Sequence, residues 1–116
     1  MYDNGLYDRR SGQPERRQDR RAPFVAAVRT ADTSGTAIAL GLMQNLSATG
    51  MELLHPDVRK GRLSLRFELH DGQGTVELAG EVVSARPYSA GLQRAGVRFV
   101  ELGPAVEERL LRALLT

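Results

Sequence analysis

Between Phe24 and Phe99 the apolar residues of this chain return at every second position, and after Gly103-Pro104 they return at every third or fourth. A period of two is the mark of strands with one buried face, and a period near 3.6 is the mark of an amphipathic helix, so the chain is held to a set of strands closed by one helix. Phe24, Ala26 and Val28 alternate, as do Ile38, Leu40 and Leu42, with turn residues Asp32-Thr33-Ser34-Gly35 between them, which reads as a hairpin. Met51 and Leu53 make a short third strand that Pro56-Asp57 ends. Leu63, Leu65, Phe67 and Leu69 make the clearest alternation, closed by the turn His70 to Gly74. Val76, Leu78 and Val82 form a fifth strand whose phase slips at Val82-Val83, as a bulge near Gly80 would produce. A loop over Pro87 to Gly91 then leads to a sixth strand carrying Ala95, Val97 and Phe99. Six short strands joined by short connections point to an antiparallel barrel or sandwich.

The terminal segment has the signals of a helix over about 104–115. Proline stands at the first turn, Glu107 and Glu108 lie near the positive end of the dipole, and Arg112 lies near the negative end. Val106, Leu110, Ala113 and Leu114 share one face, with Leu111 at its margin, and that face needs a cover. Either the mouth of the chain's own barrel or the same helix of a second copy, in a homodimer, can supply it.

With 116 residues the chain has room for one domain. The absence of cysteine excludes a disulfide framework, a thiolate metal site and a cysteine nucleophile, and it suits a cytoplasmic protein. Met1 to Pro14 lacks the apolar core of a signal peptide, and the longest apolar run, Ala37 to Met43, is too short to cross a bilayer. No membrane insertion is expected. Residues 1–14 are polar and aperiodic, and read as a flexible arm ahead of a domain over 15–116.

Catalysis finds no foothold. His55 and His70 fall in different predicted connections without ligand spacing, and read as solvated loop residues. Ser47 lacks the glycines of a nucleophile elbow, and Gly72-Gln73-Gly74 opens a strand where a dinucleotide fingerprint would open a helix. No catalytic residue, metal or cofactor is expected.

Two groups of residues remain. Fifteen of the 16 basic residues are arginine, and four of these, Arg16, Arg17, Arg20 and Arg21, stand together just before the first strand. A guanidinium holds phosphate through a fork of donors and can read the O6 and N7 edge of guanine. The same cluster also suits a solvated arm or a nonspecific nucleic-acid tail. The second group is Asn45-Leu46-Ser47-Ala48-Thr49-Gly50, between the second and third strands. Its polar side chains can cap a turn in which Gly50 takes a positive φ, or they can read the edge of a planar, polar ring.

Taken together, Arg17-x-x-x-Arg21 and Asn45-x-Ser47-x-x-Gly50 resemble the RxxxR and (D/N)xSxxG signatures of the PilZ domain family. Arg21-Ala22-Pro23 looks like the family's approach to its first strand, and Gly96-Val97-Arg98-Phe99 like its last. The resemblance implies a six-stranded antiparallel β-barrel with a C-terminal helix that binds the bacterial second messenger cyclic di-GMP. It assigns Arg17 and Arg21 to the ligand's phosphates and guanine edges, and Asn45, Ser47 and Gly50 to one guanine. Arg16 with Arg20 is the alternative register. An arginine directly before the motif goes with an intercalated ligand pair in this family, and Arg16 holds that place, so two ligand molecules per chain are expected. The output of such a receptor is a partner protein that the sequence does not name. The competing readings are a PilZ-like interaction module without nucleotide and a small nucleic-acid-binding barrel. Against the latter, Phe24, Phe67 and Phe99 all fall in core phase, so no stacking platform and no specific nucleic-acid partner is expected.

Overall fold

A computed structural model describes residues 22–115; the arm over 1–14 and the arginines Arg16, Arg17, Arg20 and Arg21 lie outside the described residues. Six strands, β1 (Ala22–Ala31), β2 (Ala37–Leu46), β3 (Gly50–His55), β4 (Gly61–Glu68), β5 (Thr75–Ser89) and β6 (Leu92–Val100), are followed by the helix α1 (Pro104–Leu115). All neighbours are antiparallel and the sheet closes into a barrel in the order β1-β2-β3-β6-β5-β4. Closure leaves no apolar face open on the inside, where Val28, Met43, Leu46, Met51, Leu53, Leu65, Phe67, Val76 and Val97 form the core.

The helix packs on its own barrel. Leu110 is fully buried in the core, and Val106, Ala113 and Leu114 pack against it. What α1 leaves for another chain is Leu111 and Leu115. Arg109 pins the helix to the β4–β5 turn, donating from Nε to Asp71 Oδ2 at 3.0 Å and from Nη2 to Asp71 Oδ1 at 2.9 Å and to the Gly74 carbonyl at 3.0 Å. These donors hold the Asp71 carboxyl down at about 2.

Four expectations from the sequence change. In β2 the inward phase belongs to Gly41 and Met43, so Leu40 and Leu42 face outward, 60% and 40% exposed. The outward phase wins because the inner side at Gly41 is already filled: a Cβ there would lie 2.9 Å from Leu53 Cδ1 and 3.0 Å from His55 Cδ2. His55 is no solvated loop residue. β3 runs one residue past Leu54, which puts His55 in the buried phase of Met51 and Leu53. The slip of β5 falls at Val82-Val83 as expected, a bulge between Val82 and Ser84, but it lies past Gly80, which keeps the phase of the strand. Residues expected to form the loop after β5 instead extend that strand to Ser89, pairing Arg86 with Arg94 and Pro87 with Gln93.

Candidate functional site

The second motif occupies the β2–β3 hairpin. Its geometry starts with a bulge: β2 pairs Met43 with Leu53 but Asn45 with Glu52, so Gln44 is an extra residue in the ladder. Met43 and Leu46 are both fully buried although three positions apart, and Asn45 between them is turned to the outer face beside Glu52. A strand of unbroken alternation would have sent Asn45 inward with Met43.

Past Leu46 the chain turns tightly. The Ser47 N–H donates to the Gly50 carbonyl at 2.9 Å, and Ser47 Oγ accepts from the Gly50 N–H at 3.1 Å and the Thr49 N–H at 3.2 Å. The hydroxyl lies 3.3 Å from the Gly50 carbonyl and is fully buried. Ser47 therefore spends its side chain on the shape of the turn. Gly50 is required for a reason other than the expected one. Its φ is not in the left-handed region, but a Cβ on it would collide with the carbonyl oxygen of Val97 on β6. The turn is tied to that strand again where the Phe99 N–H donates to the Thr49 carbonyl at 2.8 Å.

Asn45 and Glu52 belong to a polar cluster that spans three strands on the outer face. Asn45 Nδ2 donates to Glu52 Oε1 at 2.9 Å, an assignment fixed because a carboxylate only accepts. Glu52 Oε2 is 3.8 Å from Nε of Arg94 on β6, an ion-pair distance too long for a hydrogen bond. The Arg94 guanidinium lies over the ring of Tyr88 at 4.8 Å. Two buried atoms of this cluster, Asn45 Oδ1 and Arg94 Nε, have no hydrogen-bond partner. Neither Glu52 nor Arg94 was singled out by the sequence, where each is one charged residue on the polar phase of a strand.

The first motif joins the barrel at the same place. Ala22 pairs with Leu46 and Pro23 with Asn45, and Arg21 is the residue bonded to Ala22. The structure thus brings Asn45, Ser47 and Gly50 into one turn and starts the first strand beside it.

A second polar cluster lies inside the barrel on β3. His55 Nδ1 accepts from the Asp57 N–H at 3.0 Å, which puts the ring proton on Nε2. Nε2 then faces the Ala39 carbonyl at 3.0 Å and Thr30 Oγ1 at 2.9 Å, and the Thr30 hydroxyl donates to Ala39 at 2.7 Å. Burial pushes the imidazole pKa below its usual value, against the raising effects of Ala39 and Asp57, while Arg59 adds to the lowering. This cluster is satisfied throughout and faces no open surface, so it reads as a structural clasp on the β3–β4 connection. Among the described residues no group of three or more histidines, aspartates or glutamates could hold a metal, and no helix is long and apolar enough to cross a membrane.

Comparison with known proteins bears on this arrangement. The inhibitor of motility of Bacillus subtilis (MotI/DgrA) superposes with a TM-score of 0.71 at 20% identity, over 88% of this chain and 51% of that one. The chain thus spans about half of that protein. The PilZ domain of YcgR from Escherichia coli, solved with c-di-GMP, matches with a TM-score of 0.63 at 22% identity, over 87% of this chain and 90% of that one. The PilZ domain of CeSA from a cellulose-synthesizing bacterium matches with a TM-score of 0.61 at 21% identity, over 83% and 95% of the two chains. No curated protein matches the sequence. These likenesses concern the barrel. The sequence itself matches the PilZ domain model over residues 15–116, a span that takes in the arginine motif, the bulged hairpin and the closing helix, and on that match the chain belongs to the PilZ domain family.

Proposed function

We propose that this protein is a receptor for cyclic di-GMP that passes the signal to a partner protein and carries no catalytic activity of its own. The observation that supports it most is the register of β1. With Ala22 on Leu46 and Pro23 on Asn45, the RxxxR motif ends one residue from the (D/N)xSxxG hairpin. The ligand is a compact dianion with two guanines. It needs forked cations for its phosphates and a polar, flat-topped turn for a ring, which are what Arg17 and Arg21 and the Asn45 hairpin offer.

The roles within the motif divide. Asn45 faces outward and meets the ligand, while Ser47 and Gly50 act by holding the turn that presents it. On binding, Arg17 and Arg21 are drawn onto the barrel face beside Asn45, with Arg20 at hand in the alternative register. The segment so ordered forms the surface the partner reads. Arg16, directly ahead of the motif, carries the expectation of two ligand molecules per chain. A site of action in the cytoplasm goes with this reading. The partner's identity and a homodimer through Leu111 and Leu115 of α1 lie beyond it.

A few charge-assisted hydrogen bonds of roughly 1.5–3 kcal/mol each suffice for a Kd near the micromolar scale once ordering costs are met. Calorimetric titration with cyclic di-GMP, GTP and single-stranded DNA is the test. Saturable binding of the cyclic dinucleotide alone, at two molecules per chain and lost in Arg21→Ala, is the expected result. Salt-dependent binding of DNA with no cyclic dinucleotide response would turn the reading toward a nucleic-acid protein, and one molecule per chain would refute the ligand pair.

A further inference from the structure

Glu52 is an odd residue to find beside a site for an anion. Its carboxylate lies on β3 between Asn45 on β2 and Arg94 on β6, and both neighbours have a buried polar atom without a partner. Leaving a buried donor or acceptor unmade is costly, so two in one cluster point to a group that completes the network. That group is defined by what is missing. Across the three strands the cluster offers a donor at Arg94 Nε, an acceptor at the Glu52 carboxylate and an acceptor at Asn45 Oδ1.

Three features narrow the partner to the Watson–Crick edge of guanine. That edge reads acceptor, donor, donor along O6, N1–H and N2–H, the complement of donor, acceptor, acceptor. Adenine presents a donor at N6 and an acceptor at N1, so its N1 would face the Glu52 carboxylate lone pair to lone pair. A phosphate would meet the same carboxylate charge to charge, which excludes it from this position.

We propose that Glu52, positioned by Asn45 and Arg94, is the residue that selects guanine over adenine in the bound cyclic dinucleotide; this rests on the receptor reading above. Glu52 has a quarter of its side chain in solvent and Arg94 a third, so a ligand can reach both. Asn45 Oδ1 and Arg94 Nε are shielded, and their side chains turn toward the base as it seats, Arg94 leaving Tyr88 or sliding on it. A polar site built for one pattern of donors rejects the mismatched base because its own groups are then stranded.

The test compares affinities of cyclic di-GMP, cyclic di-AMP and cyclic di-IMP, the last lacking the N2 amino group, for the parent, Glu52→Gln and Glu52→Ala. The expected parent prefers cyclic di-GMP to cyclic di-AMP by about 100-fold or more and to cyclic di-IMP by about 10-fold. In Glu52→Gln and Glu52→Ala the first preference falls at least about 10-fold, and Glu52→Ala treats the guanine and inosine ligands more nearly alike. The ligand comparison in the parent needs no variant to fold. A parent that binds no cyclic dinucleotide overturns the receptor reading, and this inference with it. A parent that binds cyclic di-GMP but does not discriminate it from cyclic di-AMP, or variants that keep the parent's preference, overturn the role of Glu52 alone.

Discussion

The strand β3 carries two polar clusters on opposite sides, and they differ in how their hydrogen bonds close. On the inner side His55, Thr30, the Ala39 carbonyl and the Asp57 N–H satisfy one another. On the outer side Asn45, Glu52 and Arg94 make one hydrogen bond and one long ion pair, and leave two buried atoms without partners. A closed network fixes a structure, whereas an open one carries a cost that a ligand can recover. The two clusters are three residues apart in sequence and, on the proposals above, serve different purposes.

That contrast can be broken most sharply at the turn which leads into β3. Gly50→Ala drives a Cβ into the Val97 carbonyl, and chemical denaturation is expected to show a loss of about 3 kcal/mol or an unfolded chain. Next is the inner cluster. His55→Ala removes a buried ring and strands the Asp57 N–H, for an expected loss of about 2 kcal/mol with cyclic di-GMP affinity retained in the folded fraction. If that variant loses affinity at full folding, the two faces of β3 are coupled and the division of purposes fails.

The pH dependence sharpens the same point. The folded-state pKa of His55 lies below the unfolded value of 6.5. Its contribution is therefore complete above about 6.5 and drains as the pH falls toward and through the depressed value, with a slope of at most about 1.4 kcal/mol per pH unit. Asp71, held at about 2 by Arg109, gives a second and separate loss, between its ordinary 3.8 and about 2. Denaturant midpoints measured from pH 7 to pH 2 are expected to fall in these two stages, with His55→Ala abolishing the first and Arg109→Ala reducing the second, to which the lowered carboxyls of Asp32 and Asp57 also contribute. The smallest effect on stability belongs to the outer cluster. Asn45→Ala deletes an unpartnered acceptor together with one exposed-face bond, and is expected to change stability by less than about 1 kcal/mol while weakening cyclic di-GMP binding about 10-fold or more. A large loss of stability there would make the outer cluster a second clasp.

Much of the architecture is legible from periodicity. The alternations at Leu63 to Leu69 and Ala95 to Phe99 and the change of period after Pro104 give β4, β6 and α1 with their buried faces. Closure into a barrel is not carried by periodicity, because it depends on β1 finding β4, which pair only from Arg29 to Ala31 with Ser64 to Arg66. In β2 the pattern misleads: Leu40 and Leu42 look like a core face, and nothing local reveals that Leu53 and His55 from another strand already fill the inner side at Gly41. His55 is missed because Pro56 marks the end of the strand one residue too late to show which phase the histidine takes.

The candidate site is legible in part for similar reasons. Asn45, Ser47 and Gly50 are visible as a motif, but its spacing does not distinguish the residue on the outer face, proposed to meet the ligand, from the two that hold the turn. Glu52 and Arg94 carry no local signal. They meet because β3 lies between β2 and β6, a neighbourhood set by topology over some forty residues of chain.

The bulge at Gln44 gives the hairpin an unusual kind of fragility. The same residues paired without the bulge would alternate without interruption from Gly41 onward, and by every local criterion would make a better strand. They would also rotate Asn45 into the oily interior and push Leu46 into water, exchanging the inside and outside of the hairpin's last turn-side residues. The two faces of the hairpin therefore depend on a count of residues as much as on their chemistry. An unbulged version keeps Asn45 outside and Leu46 inside only if it is one residue shorter.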